Sequence, residues 1–241
     1  MVHTRESIGA RKLVDVWEWG RDRPPLDRSL ALLSVALGRE PAELAELTIG
    51  QRDAYLLKLY EQLFGSTLEL EVVCPGCKES LEVTATVDQL LVAEVPAEPV
   101  PNRQYYPVRL GDRELDIRLP TSRDLAGVVD LEAEAARRRL VETCCRDPGP
   151  LSDAEVQEFA AAVASLDPQA DVRFNLRCDA CEKEWVADLD ISTVLWVELE
   201  RGVERMLQEV ALLARTYGWS ETQILAMSHS RRAHYVALAS E

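Results

Sequence analysis

The sequence predicts an α+β fold, with N-terminal and C-terminal helices around small antiparallel β-hairpins that form a zinc-ribbon-like unit carrying an internal duplication. Three observations predict it. Apolar residues recur at helical spacing up to Phe64 and again in the last fifty or so residues. They alternate with polar residues on both sides of two Cys-x-x-Cys motifs, Cys74/Cys77 and Cys178/Cys181. The two motifs sit in matching surroundings about a hundred residues apart.

Residues 1–65 read as a helical module. Ile8 to Trp19 allows a helix, which Arg23-Pro24-Pro25 ends because proline lacks the N–H that would continue the ladder. Leu30, Leu32, Leu33 and Leu37 form an apolar face stopped by Gly38, and Pro41 suits the first position of a short helix with Leu44 and Leu47. Thr48 and Gln51 resemble a capping box for a third helix, in which Leu56, Leu57, Tyr60, Leu63 and Phe64 recur up to Gly65.

At Leu68 the period falls to two. Leu68, Leu70 and Val72 alternate with Glu69 and Glu71; beyond Cys77, Leu81, Val83, Ala85 and Val87 alternate with Glu82, Thr84 and Thr86. Residues 66–94 are therefore a first knuckle hairpin, and proline-rich Val95 to Asn102 is a connector. An insertion over 103–168 opens with strands Tyr106–Leu110 and Glu114–Leu119 joined across Gly111-Asp112. Helical sequence then runs from Pro120-Thr121-Ser122 to about Cys145 with an interruption near Asp130; after Asp147-Pro148-Gly149-Pro150, Ser152 can cap a helix through Leu166. Over 169–192 the knuckle recurs: Val172, Phe174 and Leu176 precede Cys178, and Trp185, Ala187, Leu189 and Ile191 follow Cys181, so that Leu81 corresponds to Trp185 and Val87 to Ile191. Residues 193–241 are C-terminal helices: a long one from about Thr193 to Thr216 closed by Gly218, then two short ones begun by Ser220/Gln223 and Ser228/Arg231.

Two residues between cysteines let a tight turn aim both sulfurs at one ion, and two such knuckles complete a tetrahedral zinc site. Cys74, Cys77, Cys178 and Cys181 are the expected ligands of one Zn2+, bound within one chain or shared between two. Four protein ligands leave no position for water, so the ion is expected to be structural. A thioredoxin-like pair would place a helix at the first cysteine, whereas a strand follows here; buried cysteines without a ligand are the remaining alternative. Cys144 and Cys145 are neighbours on a predicted helix, too divergent to chelate one ion, and Cys144 reads as core. His3, His229 and His234 read as surface residues. Trp17 and Trp19 face nearly opposite sides of any helix, so either one meets a partner or the segment is irregular and buries both; Trp185, Trp196 and Trp219 read as core.

With 241 residues and 47% apolar content the chain can build a core. Its net charge of -15 repels nucleic acid and acidic membrane surfaces; the acidic residues are spread along the chain and read as a solvated surface, or else as a match for a basic patch on a partner protein. The longest apolar candidate, Leu30 to Leu37, is broken by Ser34 and is far short of a membrane span. Met1 to Lys12 shows neither a secretory h-region nor a lipidation signal, so a reducing cytoplasm is the expected compartment. The sequence contains no phosphate-binding loop, nucleophile elbow, zinc-protease helix or dinucleotide fingerprint, and a non-enzymatic protein is expected. A zinc-ribbon transcription adaptor would want a basic face, and a thiol oxidoreductase a reactive cysteine pair.

Read in order, several segments resemble those of the T-even-type (T4-like) baseplate hub assembly chaperones of contractile phage tails and contractile injection systems. They are Leu26-Asp27-Arg28; Ile49-Gly50-Gln51-Arg52-Asp53 leading to Leu63-Phe64-Gly65; the strand carrying Cys74-Pro75-Gly76-Cys77; and Arg118-Leu119-Pro120-Thr121-Ser122-Arg123-Asp124-Leu125. Leu166-Asp167-Pro168-Gln169-Ala170 before Cys178-Asp179-Ala180-Cys181, and Tyr217-Gly218-Trp219-Ser220-Glu221 to Ile224-Leu225 with Arg231-Arg232, complete the series. The resemblance covers most of the chain. It implies a protein that holds hub or spike components until they assemble, or a baseplate subunit that stays in the particle. The zinc is read from this sequence and not from the resemblance.

Overall fold

Side-chain caps and left-handed glycines punctuate the chain. In the computed structural model, which describes residues 8–92 and 94–240, eleven helices and three antiparallel hairpins make an α+β fold. His3 lies outside the described residues. The chain runs through α1 (Ala10–Gly20), α2 (Pro25–Leu37), α3 (Pro41–Leu44) and α4 (Ile49–Phe64) into the hairpin β1 (Thr67–Val73) and β2 (Ser80–Thr86). After α5 (Val87–Leu90) come the hairpin β3 (Tyr106–Leu110) and β4 (Arg113–Ile117), then α6 (Ser122–Ala126), α7 (Ala133–Cys144) and α8 (Asp153–Leu166). A tight helical turn, Pro168–Asp171, leads to β5 (Arg173–Arg177) and β6 (Glu184–Asp188), followed by α9 (Ile191–Tyr217), α10 (Glu221–Leu225) and α11 (His229–Ala239). No helix among the described residues is long and apolar enough to cross a membrane.

Thr48 accepts a hydrogen bond from the Gln51 N–H while the Gln51 side chain accepts from the Thr48 N–H, and the same reciprocal box caps α8 at Ser152/Glu155 and α10 at Ser220/Gln223. Gly38 and Gly218 end α2 and α9 at φ 64° and 70°, where a side chain would be strained. The repeat is a constant sequence offset. Thr48 and Ser152 cap the helices that precede each knuckle, Val72 pairs with Leu81 as Leu176 pairs with Trp185, and Leu70 pairs with Val83 as Phe174 pairs with Ala187. Val87 and Ile191, expected as the last residues of strands, instead begin α5 and α9. Both are buried, at 0% and 2% exposure: an apolar residue that continues the strand phase serves equally well as the first buried position of a helix. Likewise β4 stops at Ile117, short of Leu119, because the Arg118 N–H is taken by the Cys144 carbonyl.

The chain divides into two compact units, residues up to Gly38 with those from Ser192 onward, and Arg39–Ile191, so the helices expected over 1–65 are shared between them. In the first unit α1 lies against α2 and α10. Gly20 is required there, since a Cβ would stand 2.4 Å from the Trp196 ring. Arg28 sits 4.7 Å over that ring and donates to the carbonyls of Gly20 and Arg21 at 2.9 and 2.8 Å. Arg232, buried, donates to Glu209 at 2.6 Å, and Tyr217, Trp219 and Tyr235 form an aromatic cluster. Trp17 is half-buried on a regular helix and Trp19 is 48% exposed, so the segment does not bury both. Trp196 is core, whereas Trp219, and Trp185 in the other unit, are half-buried; His229 and His234 are exposed.

In the second unit, one cluster joins Leu110 and Ile117 of the middle hairpin to Val141, Cys144 and Cys145 and to Val156 and Phe159 of α8. Cys144 is core, as its neighbours predict, and Cys145 caps α7 while bridging Ile117. Elsewhere a buried polar knot ties three distant segments together. The Ile49 N–H donates to the Pro120 carbonyl, Thr48 and Thr121 form a β-bridge, and Arg52 reaches Ser122 at 3.4 Å. Asp124 accepts from Thr121 and pairs with Arg118 through two bonds of 2.6 and 2.7 Å. Asp167 accepts from the Gly50 N–H at 2.9 Å, one of the donors that the first turn of a helix leaves without a partner, and Gln169 bridges the Leu90 carbonyl and the Val92 N–H.

Gly50 is the keystone of this knot, because a Cβ there would stand 1.9 Å from the Asp167 carboxylate. Gly50→Ala should therefore lower unfolding stability by about 1–3 kcal/mol in a denaturant melt, and an unchanged midpoint would remove Asp167 from that seat. Burial raises Asp53 to about 6 against the pull of Arg52, and raises Asp167 as well. The folded chain then binds a proton that the unfolded chain does not, so this contribution to stability grows as pH falls through about 6 and is lost as pH rises past it. Melts of the wild type and of Asp53→Asn across the window from the ordinary aspartate value of 3.8 to about 6 should show the slope in the first and a flatter one in the second.

Candidate metal centre

Each knuckle is a strand end folded over itself by backbone hydrogen bonds. The Cys74 N–H donates to the Glu79 carbonyl at 2.8 Å and the Lys78 N–H to the Cys74 carbonyl at 3.0 Å; in the second knuckle the corresponding bonds join Cys178 to Lys183 at 2.9 Å and Glu182 to Cys178 at 2.8 Å. The turn throws the residue after the second cysteine into the left-handed region, with Lys78 at φ 67° and Glu182 at φ 59°. A non-glycine residue is strained there by on the order of 1 kcal/mol, and the same strain in both copies marks the turn as a shared device.

The structure brings together all four predicted ligands. The sulfurs of Cys74, Cys77, Cys178 and Cys181 lie within 4.8 Å of one another. Two close contacts cross between the knuckles: Cys74 to Cys181 at 3.6 Å and Cys77 to Cys178 at 3.5 Å. Tetrahedral Zn–S bonds of ~2.3 Å place sulfurs ~3.8 Å apart, so the cluster has the size of a four-thiolate site, and none of the pairs is a disulfide. Cys74 and Cys178 are buried, while Cys77 and Cys181 are exposed. The site therefore lies at the surface, with one exposed and one buried cysteine in each knuckle.

Backbone donors favour the thiolate. The Cys77 and Gly76 N–H groups point at the Cys74 sulfur, the latter at 3.3 Å, and hold Cys74 at about 6, well below an ordinary thiol. Cys77 goes the other way. The Glu79 N–H favours its thiolate, but the sulfurs of Cys178, Cys181 and Cys74 together with desolvation push it up to about 12. A cation is what allows all four sulfurs to ionise together: a soft divalent ion replaces mutual repulsion by four bonds. The donor set and the sulfur spacing fit such an ion, held by these four residues with no step of chemistry assigned to it.

Sequence reasoning missed the close approach of the knuckles at Gly76. A Cβ on Gly76 would meet Lys183 at 2.9 Å and the Cys181 sulfur at 3.4 Å, so the Lys183 side chain lies across the first knuckle. The signal was present in the unequal repeat, Gly76 standing where the second knuckle has Ala180. Cys144 and Cys145 take no part in the cluster, as expected.

Cys178→Ser should abolish stoichiometric metal binding and lower the melting temperature, since the binding free energy of a structural zinc is on the order of 10 kcal/mol. Unchanged metal content and melting temperature would count decisively against the site. Searches against protein-family models, curated proteins and solved structures find no match to this chain.

Proposed function

We propose that the chain is a non-enzymatic, cytoplasmic assembly chaperone for the baseplate hub of a contractile phage tail or contractile injection system, built around one structural zinc ion on Cys74, Cys77, Cys178 and Cys181. The observation that carries the reading is the convergence of the segments on which the family resemblance rests. Ile49 to Asp53, Arg118 to Leu125 and Leu166 to Ala170 meet in the buried polar knot, where their charged groups pair with one another and with the backbone. Segments that act as joints suit a protein whose product is a shaped surface. The net charge of -15 suits a client with a basic face, and zinc is the choice among ions because four thiolates in a closed set are its usual structural site.

The test is co-expression of the full chain with the neighbouring hub and spike proteins, followed by purification on a tag carried by this chain. A soluble complex with a hub or spike component, together with absence of the chain from purified mature particles, is the expected result. Presence in mature particles would instead make it a retained baseplate subunit, and failure to bind any hub or spike component would overturn both readings.

A further inference from the structure

We infer that Cys77 and Cys181 are sites of oxidation by hydroperoxides, and that the products are two disulfides between the knuckles, Cys77 to Cys178 and Cys181 to Cys74, which keep the hairpins joined as the metal leaves. The inference rests on the metal reading of the cluster and goes beyond the assembly role. Each knuckle has one exposed and one buried cysteine: Cys77 and Cys181 are exposed, and Cys74 and Cys178 are fully buried. A small oxidant therefore meets one thiolate of each pair first. The contacts of 3.5 and 3.6 Å both join an exposed cysteine to the buried cysteine of the opposite knuckle, which puts Cys178 within reach of an oxidised Cys77 and Cys74 within reach of an oxidised Cys181. Closing either pair to a disulfide of ~2.0 Å takes a sulfur displacement of only ~1.5 Å.

The chemistry balances with peroxide as the oxidant. The Cys77 thiolate attacks one peroxide oxygen, the O–O bond breaks, and hydroxide leaves and is protonated to water, giving a sulfenic acid. The Cys178 thiolate then attacks the Cys77 sulfur; the S–S bond forms, the S–O bond breaks, and a second hydroxide leaves as water. Two sulfurs lose two electrons, one peroxide gains them, and two protons come from solvent. Cys77 and Cys178 would then no longer be able to hold an ion, and a second peroxide repeats the sequence at Cys181 and Cys74. The cross-links span 101 and 107 residues, the same loops the ion closes, so the tie between hairpins changes from ionic to covalent instead of opening. Cys144 and Cys145 sit in the core and serve as internal controls.

The experiment uses the full chain loaded with zinc under reducing conditions, its metal content measured first. Hydrogen peroxide is then added with a chromophoric chelator, and disulfides are mapped by non-reducing peptide mass spectrometry. Release of the whole bound metal in step with thiol loss, cross-linked peptides joining Cys77 to Cys178 and Cys74 to Cys181, and intact Cys144 and Cys145 are expected; Cys77→Ser should leave only the Cys74 to Cys181 link. Retained metal with intact thiols, or links confined to Cys74–Cys77 and Cys178–Cys181, would overturn the inference. A chain that takes up no metal would defeat the metal reading, and the same map on that metal-free chain still decides the oxidation sites: links between knuckles support them and links within a knuckle refute them.

Discussion

Four sulfurs drawn into a space of 4.8 Å are the constraint on which the second unit depends. Ionised together they repel, and protonated they are weak hydrogen-bonding groups; a divalent cation would turn the same geometry into a tie between the two hairpins. The backbone prepares for it. Two N–H groups face Cys74, the turn after each second cysteine accepts a left-handed residue, and the missing side chain at Gly76 lets the knuckles close on each other. Each hairpin is two strands only, a size that is marginal by itself in water, and so a tie at the tips matters more here than it would in a larger sheet.

The second unit has another tie, of different physics. Asp167 is set against the start of α4 across 117 residues, and the Arg118–Asp124 pair holds the start of α6 beside Thr48. These buried charges are tolerated because each is met by an opposite charge or a backbone donor, yet Asp53 and Asp167 remain harder to ionise than ordinary aspartates, the mark of incomplete compensation. Buried polar groups of this kind specify one arrangement, since any other pairing leaves a charge without a partner. The cysteine cluster and the polar knot thus mark two regions of one unit, and the repeat that precedes each knuckle, a capped helix leading into a strand, gives both regions the same local grammar.

Most of the fold was legible because its signals are local. Period changes at Leu68 and Val172, reciprocal caps at Thr48, Ser152 and Ser220, and glycine stops at Gly38 and Gly218 act within a turn of helix or a strand pair. The clustering of the four cysteines was legible for the same reason: Cys-x-x-Cys spacing is a property of one tight turn, and its repetition names its partner. Boundaries failed where a residue satisfies two elements at once, as Val87 and Ile191 do, and at Arg118, whose N–H is captured by the Cys144 carbonyl from another element.

What the sequence alone determined about this protein is therefore the α+β class, the order of its hairpins and helices, the duplication, and the four cysteines that come together. Tertiary structure alone decided which cysteines are exposed, that close sulfur contacts cross between knuckles, that Gly50 and Asp167 share one space, and that the first two helices join the last three in one compact unit. The division has a physical reason. Dihedral preferences and side-chain periodicity act over a few residues and leave a pattern in the chain, whereas exposure, close approach and the pairing of buried charges depend on neighbours more than a hundred residues away, which no local pattern records.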